Sequence, residues 1–161
     1  MADTGTREVM VATRDAALPA LLTVPENPVG LVLFAHGSGS SRFSGRNQAV
    51  ARTLQDAGLA TLLFDLLTAQ EDERDTLTRE YRFDIPRIGR RMADAVAWTG
   101  SEPDLAALPV GLFGASTGAA AALMAAAEHP ERVAAVVSRG GRADLAVAAL
   151  PAVRSPVLLI V

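Results

Sequence analysis

Val110-Gly111-Leu112-Phe113-Gly114-Ala115-Ser116-Thr117-Gly118-Ala119-Ala120-Ala121-Ala122-Leu123 is the stretch that decides the fold. It opens as a short continuous apolar run, the form taken by a strand buried on both faces. It continues as an Ala-rich segment that reads as a helix to about Glu128. The small-x-Ser-x-small pattern between the two marks a sharp strand-to-helix turn. Its flanking glycines, Gly114 and Gly118, permit close backbone packing, and the hydroxyl of Ser116 is held clear of the sheet. The helix start directs free N–H groups and the positive dipole end at that hydroxyl, so the N–H of Thr117 is a candidate oxyanion donor.

Upstream, Gly30 to Ala35 is a second apolar run, and it ends in His36-Gly37-Ser38-Gly39-Ser40-Ser41. Acyl transfer needs a second oxyanion donor, commonly from the loop after an earlier strand, and Ser38 or Gly39 is placed to offer it. A Gly-x-Ser-x-Gly pentad or a Gly/Ser loop is weak evidence alone, since either arises in a Gly- and Ala-rich chain as a plain turn. Their occurrence after separate strands, in this order, is the stronger signal. Neither loop carries the Lys-Ser/Thr of a phosphate loop or a full dinucleotide fingerprint.

The remaining segments alternate strand with helix. Residues 7–13 and 18–24 read as an antiparallel hairpin around the polar turn Thr13-Arg14-Asp15. A helix is expected over 46–57, with Val50, Leu54 and Ala57 at helical spacing before Gly58, and a buried strand over 60–65. The run Gln70-Glu71-Asp72-Glu73-Arg74-Asp75 reads as a solvated loop or helix start, with no apolar anchor and no visible partner. Another helix is expected over 84–99, turning Ile85, Ile88, Met92, Val96 and Trp98 to the core. Buried strands are expected at 133–138 and from Pro156 to Val161, with a helical stretch around 143–150. This alternation predicts an α/β fold, a mostly parallel sheet with helices on both faces, in a single domain over 1–161.

Composition narrows the function. The net charge is −3 with both signs mixed along the chain, so no basic surface is offered to nucleic acid or to an anionic membrane. There is no cysteine, which excludes a disulfide framework, a cysteine-based zinc site and a cysteine nucleophile. No metal and no cofactor is expected. Met1 to Glu8 has no apolar stretch behind a basic start, and no apolar run approaches a bilayer span, so a soluble, cytoplasmic protein is expected.

These motifs, from His36-Gly37-Ser38-Gly39-Ser40-Ser41-Arg42 through the pentad at Ser116 to Ser138-Arg139-Gly140-Gly141-Arg142-Ala143-Asp144-Leu145, resemble the α/β-hydrolases. Within them they are similar to the small dienelactone-hydrolase-like enzymes. The resemblance implies hydrolysis of an ester, lactone or thioester of a small molecule through an acyl-enzyme on Ser116. It departs in one respect at once: dienelactone hydrolases proper use a cysteine nucleophile, so their substrate is not carried over. The fold's triad runs nucleophile, acid, histidine, and after Ser116 the chain holds only His129. Thirteen helical positions at about 1.5 Å each put it roughly 20 Å away, at the far end of the helix. His36 is nearer, but there a histidine usually orders the oxyanion turn. Asp144 stands at one position the fold uses for the acid, and it is equally suited to cap a helix starting beside it. Pro156 to Val161 reads as a core strand without a covering helix. The expectation is therefore a fold incomplete at its C-terminal end, a fragment of weak or absent turnover that self-associates through this strand. A catalytically silent binding or assembly module on the same fold is the competing reading.

Overall fold

The computed structural model describes residues 5–161; Met1 to Thr4, half of the segment read as carrying no signal, lie outside the described residues. Seven strands form one sheet in the order β1-β2-β4-β3-β5-β6-β7. Strands β1 (Thr6–Ala12) and β2 (Ala17–Thr23) make the expected hairpin. The antiparallel pairing of β2 with β4 (Leu59–Phe64) attaches it to the sheet. From there β4, β3 (Gly30–Ala35), β5 (Val110–Ala115), β6 (Val133–Arg139) and β7 (Val157–Ile160) run parallel. The α/β architecture is the one expected.

Helices cover both faces, and two apolar clusters fill the layers between. On one face α1 (Gly45–Asp56) brings Ala51, Val50 and Leu54 against Phe34, Leu63 and Phe113. The Phe34 and Phe113 rings lie 5.2 Å apart, centroid to centroid. On the other face α3 (Ile85–Ser101) and α4 (Thr117–Glu128) pack on the sheet and on each other. Ile85, Ile88, Met92 and Val96 are buried in that larger cluster, with Trp98 partly buried at its edge. Small side chains let the two helices approach closely: a Cβ on Gly89 would lie 2.6 Å from the Met124 sulfur. Six alanines of α4 are wholly buried, so this helix is held by dense contact with its neighbours and not by an amphipathic stripe.

Three local expectations are corrected. The acidic run forms helix α2 (Ala69–Thr78), started by a capping box in which Thr68 and Glu71 each satisfy the other's backbone N–H. Two of its carboxylates have partners, Glu71 from α3 and Asp75 from the turn after α2. The stretch 143–150 is not one helix: two short 3-10 turns form instead, Ala143–Ala146 and Leu150–Ala152. Strand β7 pairs with β6 as expected but is not a buried strand: all its side chains are exposed, in keeping with a core strand read as lacking a covering helix.

Candidate active site

Strands β3 and β5 are neighbours in register, with Ala35 opposite Gly114, and so the two motif loops emerge side by side at the sheet's carboxyl edge. Ser116 stands at the junction of β5 and α4 with φ 53° and ψ −123°, a left-handed conformation that costs a side-chain-bearing residue of order 1–3 kcal/mol. The surroundings enforce it. The Ser116 N–H donates to the Arg139 carbonyl at 3.3 Å, and the Ser116 carbonyl accepts from Ala119 at 3.1 Å and from Arg142 at 3.0 Å. Close backbone approach explains the flanking glycines. A Cβ on Gly118 would lie 2.2 Å from the Ala35 carbonyl oxygen, and one on Gly114 would lie 2.5 Å from the Ala119 Cα.

The loop after β3 lies directly against the serine, since a Cβ on Gly37 would be 3.2 Å from the Ser116 Cβ and 3.9 Å from its Oγ. The Ser38 Oγ is 2.9 Å from the Thr117 Oγ1, tying this loop to the first residue of α4. The structure thus brings together Ser116, Thr117, His36, Gly37, Ser38 and Gly39. As the first helical residue, Thr117 has no intrahelical acceptor for its N–H. On the other side of Ser116 an open cleft of about 320 Å³ is lined by Arg46, Ala115, Arg139, Gly140, Ile160 and Val161.

His36 is buried with both ring nitrogens engaged. Its Nε2 accepts the Leu66 N–H at 2.9 Å, which leaves Nδ1 to carry the proton and donate to the Gly37 carbonyl at 2.8 Å. Burial pushes its pKa below the ordinary value, outweighing the Gly37 carbonyl and the charges of Asp65 and Asp72, which act the other way. A neutral imidazole so tethered orders the turn and has no free nitrogen for Ser116. His129 caps the far end of α4, thirteen residues on from Ser116, about 20 Å by helical rise. Asp144 sits in the first 3-10 turn, where no side chain caps the turn. Its exposed carboxylate accepts from Arg142 at 3.0 and 2.9 Å, and this guanidinium holds its pKa below the ordinary carboxylate value. In this arrangement it orients no histidine.

Sequence reasoning missed the polar scaffold beneath the loop. Arg91 of α3, wholly buried, donates to both carboxylate oxygens of Glu71, to Asp15 and to the Leu66 carbonyl at 2.8 Å. Leu66 in turn holds His36. Asp75, also buried, is closed around by the turn after α2. The available signal was the spacing of acidic residues in 70–75 along a helix, facing an arginine-rich α3.

A family model described as serine aminopeptidase, S33, a group of hydrolases, matches residues 26–158. The chain is an α/β-hydrolase. This α/β-hydrolase is 55% identical to a crystal structure of dienelactone hydrolase from Anabaena variabilis, with a TM-score of 0.94 over 96% of this chain and 72% of that one. It is also 54% identical over 154 residues to a Mycobacterium tuberculosis protein provisionally named a phosphoribosyl transferase. There the match covers 96% of this chain and 34% of the relative, so the α/β-hydrolase spans about a third of the length of the curated relatives it matches. A dienelactone hydrolase-like promiscuous phosphotriesterase from metagenomic libraries shares the fold at 20% identity, TM-score 0.70.

Proposed function

We propose that Ser116 is the nucleophile of a serine-dependent acyl hydrolase acting on small-molecule esters, lactones or thioesters. The observation that carries this reading is the left-handed backbone of Ser116, imposed on a non-glycine residue at a strand-to-helix junction. The Ser116 Oγ attacks the acyl carbon, and the N–H groups of Thr117 and of Ser38 or Gly39 receive the oxyanion. The bond to the alcohol or thiol breaks and that group takes up the serine proton, remaining on the acyl chain when the substrate is a lactone, and water then hydrolyses the acyl-enzyme to the acid and free serine. Lactones are the first substrates to test, because the 55% identical Anabaena protein carries the name dienelactone hydrolase. No phosphoribosyl transfer is assigned to these residues, since they match only a third of the protein so named.

In this proposal neither His36 nor His129 acts as the base, and turnover by residues 1–161 is slow. The engagement of both His36 ring nitrogens favours one second reading, a catalytically silent binding or assembly module. Among the described residues no helix is long and apolar enough to cross a membrane. A cytoplasmic setting, and contact between copies through β7, belong to this proposal.

Acylation of the protein decides between the readings. The chain has neither lysine nor cysteine, so few other groups compete for an acylating probe. With p-nitrophenyl acetate, and imidazole as external base, the Ser116 Oγ–acetyl bond forms, p-nitrophenolate leaves and imidazole takes the serine proton. Mass spectrometry is expected to show one dominant acetyl group, on Ser116, that the Ser116→Ala chain lacks. Equal acetylation of the two chains would favour the silent module.

A further inference from the structure

We propose that Arg82 and Asp75 are positioning residues that brace the oxyanion loop from outside the elbow, an inference that rests on the acyl-hydrolase reading. Helix α2 ends where Arg79 adopts a left-handed conformation, φ 59°, and the chain turns back toward α3. The Asp75 carboxylate, 1% exposed, fastens this turn. Its Oδ1 accepts the N–H of Tyr81 at 2.8 Å and of Arg82 at 3.0 Å, and its Oδ2 accepts from the Arg82 Nε at 2.8 Å. Arg82 also donates through Nη2 to the Asp75 carbonyl at 3.3 Å. Every oxygen that Asp75 presents is therefore spent on one short turn, and the residue so fixed is Arg82.

Arg82 passes that rigidity on at two points. Its carbonyl accepts the Ser38 hydroxyl at 3.3 Å, and the same hydroxyl oxygen meets the Thr117 Oγ1 at 2.9 Å. Its guanidinium roofs Gly39: a Cβ there would lie 3.5 Å from Nη1. Gly39 holds φ 73°, a conformation that side-chain-bearing residues rarely adopt, and it has no side chain of its own to pack. Ser38 and Gly39 are the residues whose N–H groups are assigned to the oxyanion. The brace touches neither Ser116 nor the cleft beside it. What it sets is the donor geometry, on which oxyanion stabilisation depends to within a few tenths of an ångström.

A positioning role predicts a change in the rate of acyl transfer and not in affinity for the ester. Single-turnover acetylation of Ser116 by p-nitrophenyl acetate, with imidazole, is to be followed across ester concentrations in the 161-residue chain and in Arg82→Ala, Arg82→Lys and Asp75→Asn. Arg82→Ala is expected to lower the maximal rate about tenfold, less than the hundredfold or more lost with a donor itself, and to leave the half-saturating concentration unchanged. Arg82→Lys is expected to recover most of the rate. Amide hydrogen exchange at Ser38 and Gly39 is expected to accelerate in parallel. Should Arg82→Ala fail to fold, Arg82→Gln, which also removes the guanidinium over Gly39, is read the same way. A folded Arg82→Ala chain with unchanged acetylation and unchanged exchange overturns the brace. Equal acetylation of the parent and Ser116→Ala chains overturns the hydrolase reading, and the brace with it. Faster exchange in Arg82→Ala would then show only that the contact is structural.

Discussion

Ser116 pays in backbone strain for its position, and three hydrogen bonds and two flanking glycines hold it there. Ser116→Gly is therefore expected to raise the unfolding free energy by about 1 kcal/mol in urea melts, the relief of a left-handed residue less the greater freedom of glycine when unfolded. Ser116→Ala, which keeps its Cβ in the same conformation, is expected to stay within about 0.5 kcal/mol of the parent. This residue was legible from sequence because every requirement is local: a strand, a turn of small residues and a helix in one run. The function of His36 was only half legible. Its place in a Gly/Ser loop suggested a turn-ordering role, whereas the acceptor bond to Leu66 comes from a different strand end.

Helix α2 looks like solvated charge in isolation, and its tertiary role comes from α3. Arg91 joins Glu71 to Asp15 in the hairpin turn and to the Leu66 carbonyl, so one guanidinium ties three parts of the chain together. Arg91→Met is expected to destabilise by about 1–3 kcal/mol, because the Leu66 carbonyl loses its donor while Glu71 keeps Arg87 and Asp15 turns to solvent, measured by denaturant unfolding. The pH dependence follows from Glu71. Burial raises its pKa, but the hydrogen bond from Arg91, the Thr68 N–H and the Arg91 and Arg87 charges outweigh it, and the net shift is below the ordinary 4.5. A carboxylate lowered in the folded state contributes stability that is complete above 4.5 and lost as pH falls through the folded value. That acid-side loss is expected to shrink in Glu71→Gln, as checked by unfolding at pH 3 to 5. No periodicity within 69–78 encodes such pairings, since Arg91 lies 20 residues from Glu71 and 76 from Asp15.

For the whole molecule, a mostly parallel sheet follows from the alternation of apolar runs and helices, though its strand order does not, and the sheet was legible to that extent. Burial of β7 was not. An apolar run reads the same whether or not a neighbour covers it, and here Val157 to Ile160 stand 39–58% exposed on the outermost strand. Such an edge, with unpaired backbone groups and apolar side chains, pairs readily with another copy. Sedimentation of the 161-residue chain is expected to show concentration-dependent association, and Leu158→Lys is expected to weaken it about tenfold or more. Association unchanged by Leu158→Lys would place the contact elsewhere.

The bond from the Arg142 N–H to the Ser116 carbonyl carries a practical consequence. Arg142 lies in a surface turn, where amides ordinarily trade their protons with solvent within moments. This one is tethered to the Ser116 carbonyl, which Ala119 also holds, so its lifetime against deuterium becomes a gauge of the elbow. It can be read by magnetic resonance in a protein that turns over nothing, and it separates loss of chemistry from loss of shape.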